Sequence, residues 1–152
     1  MFSTPEAELG AELVGLKDIP IAGWGGITWL ARQRNADEQK YAKPSPVHAL
    51  AAMRLALGDG QETALQEAAD LVETGQVSPA WQRLADAQVY VFEDTPSGIK
   101  SLQDAQEVLE NKGINIKTSY IGVSRKLVKR KALLASSAQV FRSLTQALSQ
   151  SM

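Results

Sequence analysis

Apolar and polar positions alternate along this chain in short blocks, and each block has a readable period. Leu9, Leu13 and Leu16 recur at spacings of four and three among Glu6, Glu8 and Glu12, which predicts an amphipathic helix over Pro5 to Leu16. Ile19 to Ala22 reads as a short buried strand, Gly23-Trp-Gly-Gly26 as a glycine turn and Ile27 to Gln33 as a helix, together a βα unit. The prolines of Tyr41-Ala-Lys-Pro-Ser-Pro46 bias the residues before them away from helix. Ser45 and Pro46 are good N-cap and first-turn residues for a helix running to Leu57. Leu65, Ala68, Ala69 and Val72 share one helical stripe that Gly75 closes, and Ser78-Pro79 opens a further short helix through Leu84.

Downstream the pattern is more regular. Gln88 to Phe92, β-branched and aromatic, predicts a strand that ends in Glu93-Asp94; Thr95-Pro-Ser-Gly98 then leads into a helix over Ser97 to Lys112 with Leu102, Ala105 and Leu109 inward. A strand at Tyr120 to Val123 precedes a helix whose exposed face carries Arg125, Lys126, Lys129 and Arg130. A short stretch at Ala138 to Val140 leads to a last helix holding Phe141, Leu144 and Leu148. Strands alternating with helices predict an α/β fold, a three-layer Rossmann-like parallel sheet with helices on both faces and some extra helices. In such sheets ligands gather at the carboxyl ends of the strands.

Composition narrows the chemistry. The 152 residues suit one domain, and with no cysteine and one histidine, His48, disulfides, thiolate metal sites and thiol nucleophiles are excluded. The net charge of −1 hides an asymmetry: all 17 acids and 8 of the 16 bases lie in residues 1–110 (−9), and the other 8 bases lie in residues 111–152 (+8). The basic cluster Arg125 to Lys131 is interrupted by Leu127 and Val128 and has no interleaved aromatics. It reads as a solvated helix face, so no nucleic-acid partner is expected. No run approaches a membrane span and the acidic start lacks the order of a signal peptide, so no membrane partner and a cytoplasmic location are expected.

Candidate site residues sit after predicted strands. Glu93 and Asp94 would both project at the sheet's carboxyl edge, where adjacent carboxylates favour a cation such as Mg²⁺; alternatively Asp94 or Thr95 caps the next helix and Glu93 is solvated. Lys43, held between prolines, can neutralise a phosphate or carboxylate, or be a surface lysine. Gly23-x-Gly-Gly departs from the dinucleotide fingerprint, since Thr28 stands at its third glycine, and a tight turn is preferred. His48 has neither nucleophile nor orienting acid at a readable spacing and reads as a surface histidine.

Lys43-Pro-x-Pro46 and, later, Val89-Tyr-Val-Phe-Glu-Asp-Thr-Pro-Ser-Gly-Ile99 resemble the third and fourth motifs of the haloacid dehalogenase-like hydrolase superfamily. Gly122-Val123 and Val140-Phe141-x-Ser-Leu144 resemble its C-terminal end. The resemblance covers residues 19–152, with a helical insertion near 61–86, and residues 1–18 resemble the end of that family's cap. It implies Mg²⁺-dependent phosphatase-type chemistry on a phosphorylated small molecule. Lys43 would steady phosphate and nucleophile, Glu93 and Asp94 would hold the metal, Ser97 and Gly98 would lie at the substrate, and Thr28 is the hydroxyl nearest to the second motif. The family's nucleophile lies in an Asp-x-Asp motif on a first strand, and no Asp-x-Asp occurs in this sequence. The resemblance therefore implies the C-terminal portion of a longer member, or a degenerate one, without a nucleophile. The alternative is a non-catalytic binding or interaction module on the same scaffold. Without the central strand, inner sheet edges are left unpaired, which predicts association with a second copy or with a complementary chain.

Overall fold

A computed structural model describes residues 18–136 and 138–151, together with Leu9, Glu12 and Leu13. Leu9, Glu12 and Leu13 are helical and exposed; the rest of the helix expected over Pro5 to Leu16 lies outside the described residues. The chain divides into two compact units, Met1–Arg83 and Leu84–Met152. The boundary falls inside the stretch expected to be an insertion.

The described part of the first unit is helical: α1 (Trp24–Gln33), a 3-10 turn at Glu38–Lys40, α2 (Pro46–Ala56) and α3 (Gln61–Glu73). Ser45 caps α2 by accepting from the Val47 amide, with Pro46 in the first turn, as the sequence predicts. Ile27, Leu30 and Ala31 of α1, Leu50 and Ala51 of α2, and Leu65, Ala68 and Ala69 of α3 are all buried. The alanines let α2 and α3 pack closely. Gly75, at φ 73°, ends the α3 region in the left-handed conformation that glycine adopts without steric cost.

The strand expected at Ile19 to Ala22 does not form. A strand needs a neighbour to bond its backbone, and here side chains take that role: the Ile21 carbonyl accepts from Gln61 Nε2 at 3.0 Å and the Ala22 carbonyl from His48 Nε2 at 2.6 Å. The glycine turn is also corrected. Gly23 is the extended N-cap of α1, whereas Gly25 and Gly26 are helical. A Cβ on Gly26 would lie 3.0 Å from Leu65 Cδ1, so this glycine permits the close approach of α3. The short helix expected from Ser78 is a 3-10 helix, Pro79–Leu84.

The second unit is α/β. Strands β1 (Gln88–Glu93), β2 (Lys117–Val123) and β3 (Gln139–Phe141) form a parallel sheet in the order β1-β2-β3, joined by α4 (Pro96–Glu110) and α5 (Leu127–Ala135) and followed by α6 (Leu144–Ser151). Phe141 ends β3 instead of belonging to the last helix. Side chains alternate across the sheet. Val89 and Val91 of β1, Tyr120 of β2 and Val140 of β3 share one face and pack with Ile99 and Leu102 of α4 and Leu133 of α5. Gly122 lies on that face too: a Cβ there would sit 3.1 Å from Leu133 and 3.2 Å from Val140, so α5 seats directly on the backbone. Ile121 occupies the other face, and α6, with Ala147 buried, packs against β2 and β3. Helix–sheet–helix layering thus follows from the period-2 pattern of the strands. Among the described residues β1 is an edge strand, paired to β2 alone.

Candidate functional site

The carboxyl end of β1 collects four of the residues singled out by sequence. Glu93 follows Val89 and Val91 in the alternation, so it faces the α4 side. Thr95 is the extended N-cap of α4; its Oγ1 accepts from the Gly98 amide at 3.2 Å and from the Ser97 hydroxyl at 3.3 Å. The capping alternative therefore falls on Thr95 and not on Asp94. A Cβ on Gly98 would lie 2.6 Å from Glu93 Oε1 and closer still to Cδ and Oε2. Glu93 thus lays its carboxylate across the first turn of α4, where the backbone dipole favours negative charge, and only glycine leaves it room.

Asp94 points to solvent, and its Oδ2 accepts from Lys129 Nζ of α5 at 2.6 Å. Both partners are largely solvent-facing, so this pair contributes less than about 1 kcal/mol and is readily exchanged for another cation. Lys129 is a neighbour that spacing along the sequence does not reveal, since it lies 35 residues downstream on a helix face that reads as solvated. A shallow cleft of about 330 Å³, lined by Phe92, Glu93, Asp94, Val123 and Leu144, opens beside the pair.

Lys43 and Thr28 belong to the first unit. Lys43 is exposed in the turn before α2, preceding a cis Pro44, and lines a cavity of about 220 Å³ with Trp24, Ile27, Gln39, Ala42 and His48. Thr28, half-buried in the second turn of α1, is not among the lining residues. His48 is half-buried, not a surface residue; because a carbonyl only accepts, its Nε2 carries the proton that it donates to Ala22. Any proton-accepting role is then confined to Nδ1.

Two charge networks hold the first unit together. Glu73 accepts from Tyr41 at 2.8 Å, Lys40 at 2.5 Å and Arg34 at 3.3 Å. Burial pushes the Glu73 carboxyl up, but the hydrogen bonds from Lys40 and Tyr41, with the charges of Lys40 and Arg34, outweigh it and hold the group below its ordinary range. Fully buried Arg54 bonds Asp59, reaches Glu67 at 2.5 Å and stacks 4.7 Å from the Trp81 ring centroid. The Arg54 hydrogen bond lowers the Asp59 carboxyl, aided by Arg83 against burial.

As a donor set, Glu93 and Asp94 supply the one or two carboxylates that Mg²⁺ commonly takes alongside water and phosphate, with Lys129 competing for one. Among the described residues no group of three His, Cys, Asp or Glu side chains is arranged to hold a metal without such help. No helix among them is long and apolar enough to cross a membrane. Fold and site together define a small parallel α/β unit with an acidic strand end. Comparison with known proteins finds no matching family model, no matching curated protein and no matching solved structure.

Proposed function

We propose that this chain is a haloacid dehalogenase-like, phosphatase-type portion that binds Mg²⁺ and phosphate but has no nucleophile of its own. The observation that carries the reading is the acidic pair at the carboxyl end of β1, with one carboxylate lodged on the α4 N-terminus beside Gly98 and the other balanced, among the described residues, by an exchangeable lysine. Glu93 and Asp94 would hold the metal, Lys129 giving way as it binds, and Mg²⁺ would there neutralise charge on a phosphate oxygen. Thr95 keeps the α4 N-terminus in place and Gly98 gives Glu93 its room there, which leaves Ser97 to meet the phosphate.

Calorimetric titration of the chain with MgCl₂ tests this. Binding is expected in the parent, lost in Asp94→Asn and strengthened in Lys129→Gln, which removes the competing cation. A parent that takes up no Mg²⁺, even as Lys129→Gln, overturns the reading. Assay against a generic phosphomonoester with and without Mg²⁺ is expected to show no turnover; turnover abolished by Asp94→Asn would show that a nucleophile is present after all. The Lys129–Asp94 pair also favours a second reading, a non-catalytic interaction module in which that pair is simply part of the surface. An unaltered fold and no Mg²⁺ binding in every variant would select it.

A further inference from the structure

Helix α5 and the loop before it turn apolar and basic side chains to solvent together. The helix buries Leu133, yet Leu127, Val128 and Leu134 are 59%, 81% and 60% exposed. At 100° per residue, Leu134, Leu127, Lys131, Ala135 and Val128 follow one another around the outward side, so an apolar strip encloses Lys131. In sequence this run reads as a solvated basic face; the helix instead directs Lys129 to Asp94 and Arg130 back to the Arg125 carbonyl, leaving the apolar residues outward.

Cations flank the Leu127 end of the strip. Arg125 and Lys126 follow β2 and Arg142 follows β3, and the Ser124 amide donates to the Phe141 carbonyl at 3.0 Å, which holds the two loops side by side. Arg125, Lys126, Lys131 and Arg142 are all exposed, and among the described residues none of them is paired with a carboxylate. Residues 111–152 hold 8 bases and no acid.

Charge selects the occupant of this face. A second copy would set base against base, whereas an anionic surface is complementary to it. The apolar residues then discriminate among anionic surfaces. A nucleic acid would engage the bases but offer nothing to Leu127 and Val128, and α5 carries no aromatic residue on which a base could stack. A leucine and valine ridge on the convex outside of a helix suits a surface that yields around it. In a bilayer the ridge enters the boundary between headgroups and acyl chains while the anionic headgroups meet the bases, and such a contact needs no spanning helix.

We propose that the outward face of α5, with Arg125, Lys126 and Arg142, docks on a bilayer surface containing anionic phospholipid. The contact leaves Lys129 with Asp94 and does not depend on metal binding.

Co-sedimentation of the full chain with phosphatidylcholine vesicles, with and without phosphatidylserine, tests the proposal. Binding is expected only where phosphatidylserine is present, and it should weaken as salt is raised. Lys126→Gln and Arg142→Gln are each expected to weaken it by about fivefold and to flatten the salt dependence. Val128→Ser is expected to weaken it by about tenfold with the salt dependence of the parent. All three positions are exposed, so circular dichroism should be unchanged in the variants. A chain that binds neither vesicle, that binds both equally, or that binds phosphatidylserine vesicles as well after Val128→Ser overturns the proposal. Binding of a labelled polyglutamate peptide or of a DNA oligonucleotide, without vesicle binding, overturns it in favour of an acidic protein or a nucleic acid.

Discussion

Gly98→Ala pits two effects against each other at one atom. Gly98 is the third residue of α4 and takes an ordinary helical backbone, so intrinsic propensity favours alanine by about 0.5–1 kcal/mol. The new methyl would come within 2.6 Å of Glu93 Oε1 and nearer to Cδ, well inside the roughly 3.5 Å of normal carbon contact. A carboxylate is the free end of a flexible side chain, so it yields before the backbone does. What is then lost is its place over the helix N-terminus, about 0.3–1 kcal/mol. The two contributions offset, and Gly98→Ala is expected to change stability by less than about 0.7 kcal/mol in the parent. In a Glu93→Ala background the propensity gain stands alone, and the same substitution should stabilise by about 0.5–1 kcal/mol. Urea unfolding followed by far-ultraviolet circular dichroism measures the cycle. Equal stabilisation in both backgrounds would refute the placement of Glu93 over Gly98.

Further outcomes follow from the packing. Arg54→Ala leaves Asp59 to Arg83 and Glu67 to Ser78 and uncovers Trp81; a loss of about 1–3 kcal/mol is expected in unfolding followed by tryptophan emission, and Arg54→Lys, which cannot bridge and stack at once, should recover only part. Gly122→Ala forces Leu133 and Val140 apart and should cost about 1–3 kcal/mol in urea unfolding followed by circular dichroism. Glu73 and Asp59 are depressed in the folded chain, so their stabilisation is fully present above their unfolded values and is lost as pH falls through the folded ones. The first unit's urea midpoint should hold from neutral pH to about 5 and fall below about 4, with a shallower fall in Glu73→Gln.

Much of the second unit was legible in the sequence because its signals are local. A β-branched run ending in Glu93-Asp94, with Thr95 and Pro96 at cap and first turn, is sufficient for β1 and the start of α4. The turn before α2 was readable for the same reason. Ile19 to Ala22 was not, because a four-residue apolar run becomes a strand only beside a partner strand, and here Gln61 and His48 bond its carbonyls instead. The Asp94–Lys129 pair joins residues far apart in sequence, and no spacing rule reports it. Arg54 left only a faint trace, a charged residue among the apolar ones of α2 with Asp59 five positions on. At α5 the composition was plain, but which residues faced outward depended on how the helix rolls onto Gly122.

The sheet's winding bears on where a ligand can enter. Both connections step the same way, from β1 to β2 to β3. In open parallel sheets a deep crevice arises where the strand order reverses, because successive connecting helices then diverge to opposite faces and leave a gap between the loops. Three strands wound in one direction contain no such reversal. The cleft beside Glu93 and Asp94 is correspondingly shallow, and a reversal would arise at those two carboxylates only if strands added along the outer side of β1 were connected in the opposite direction, converting a ledge into a pocket.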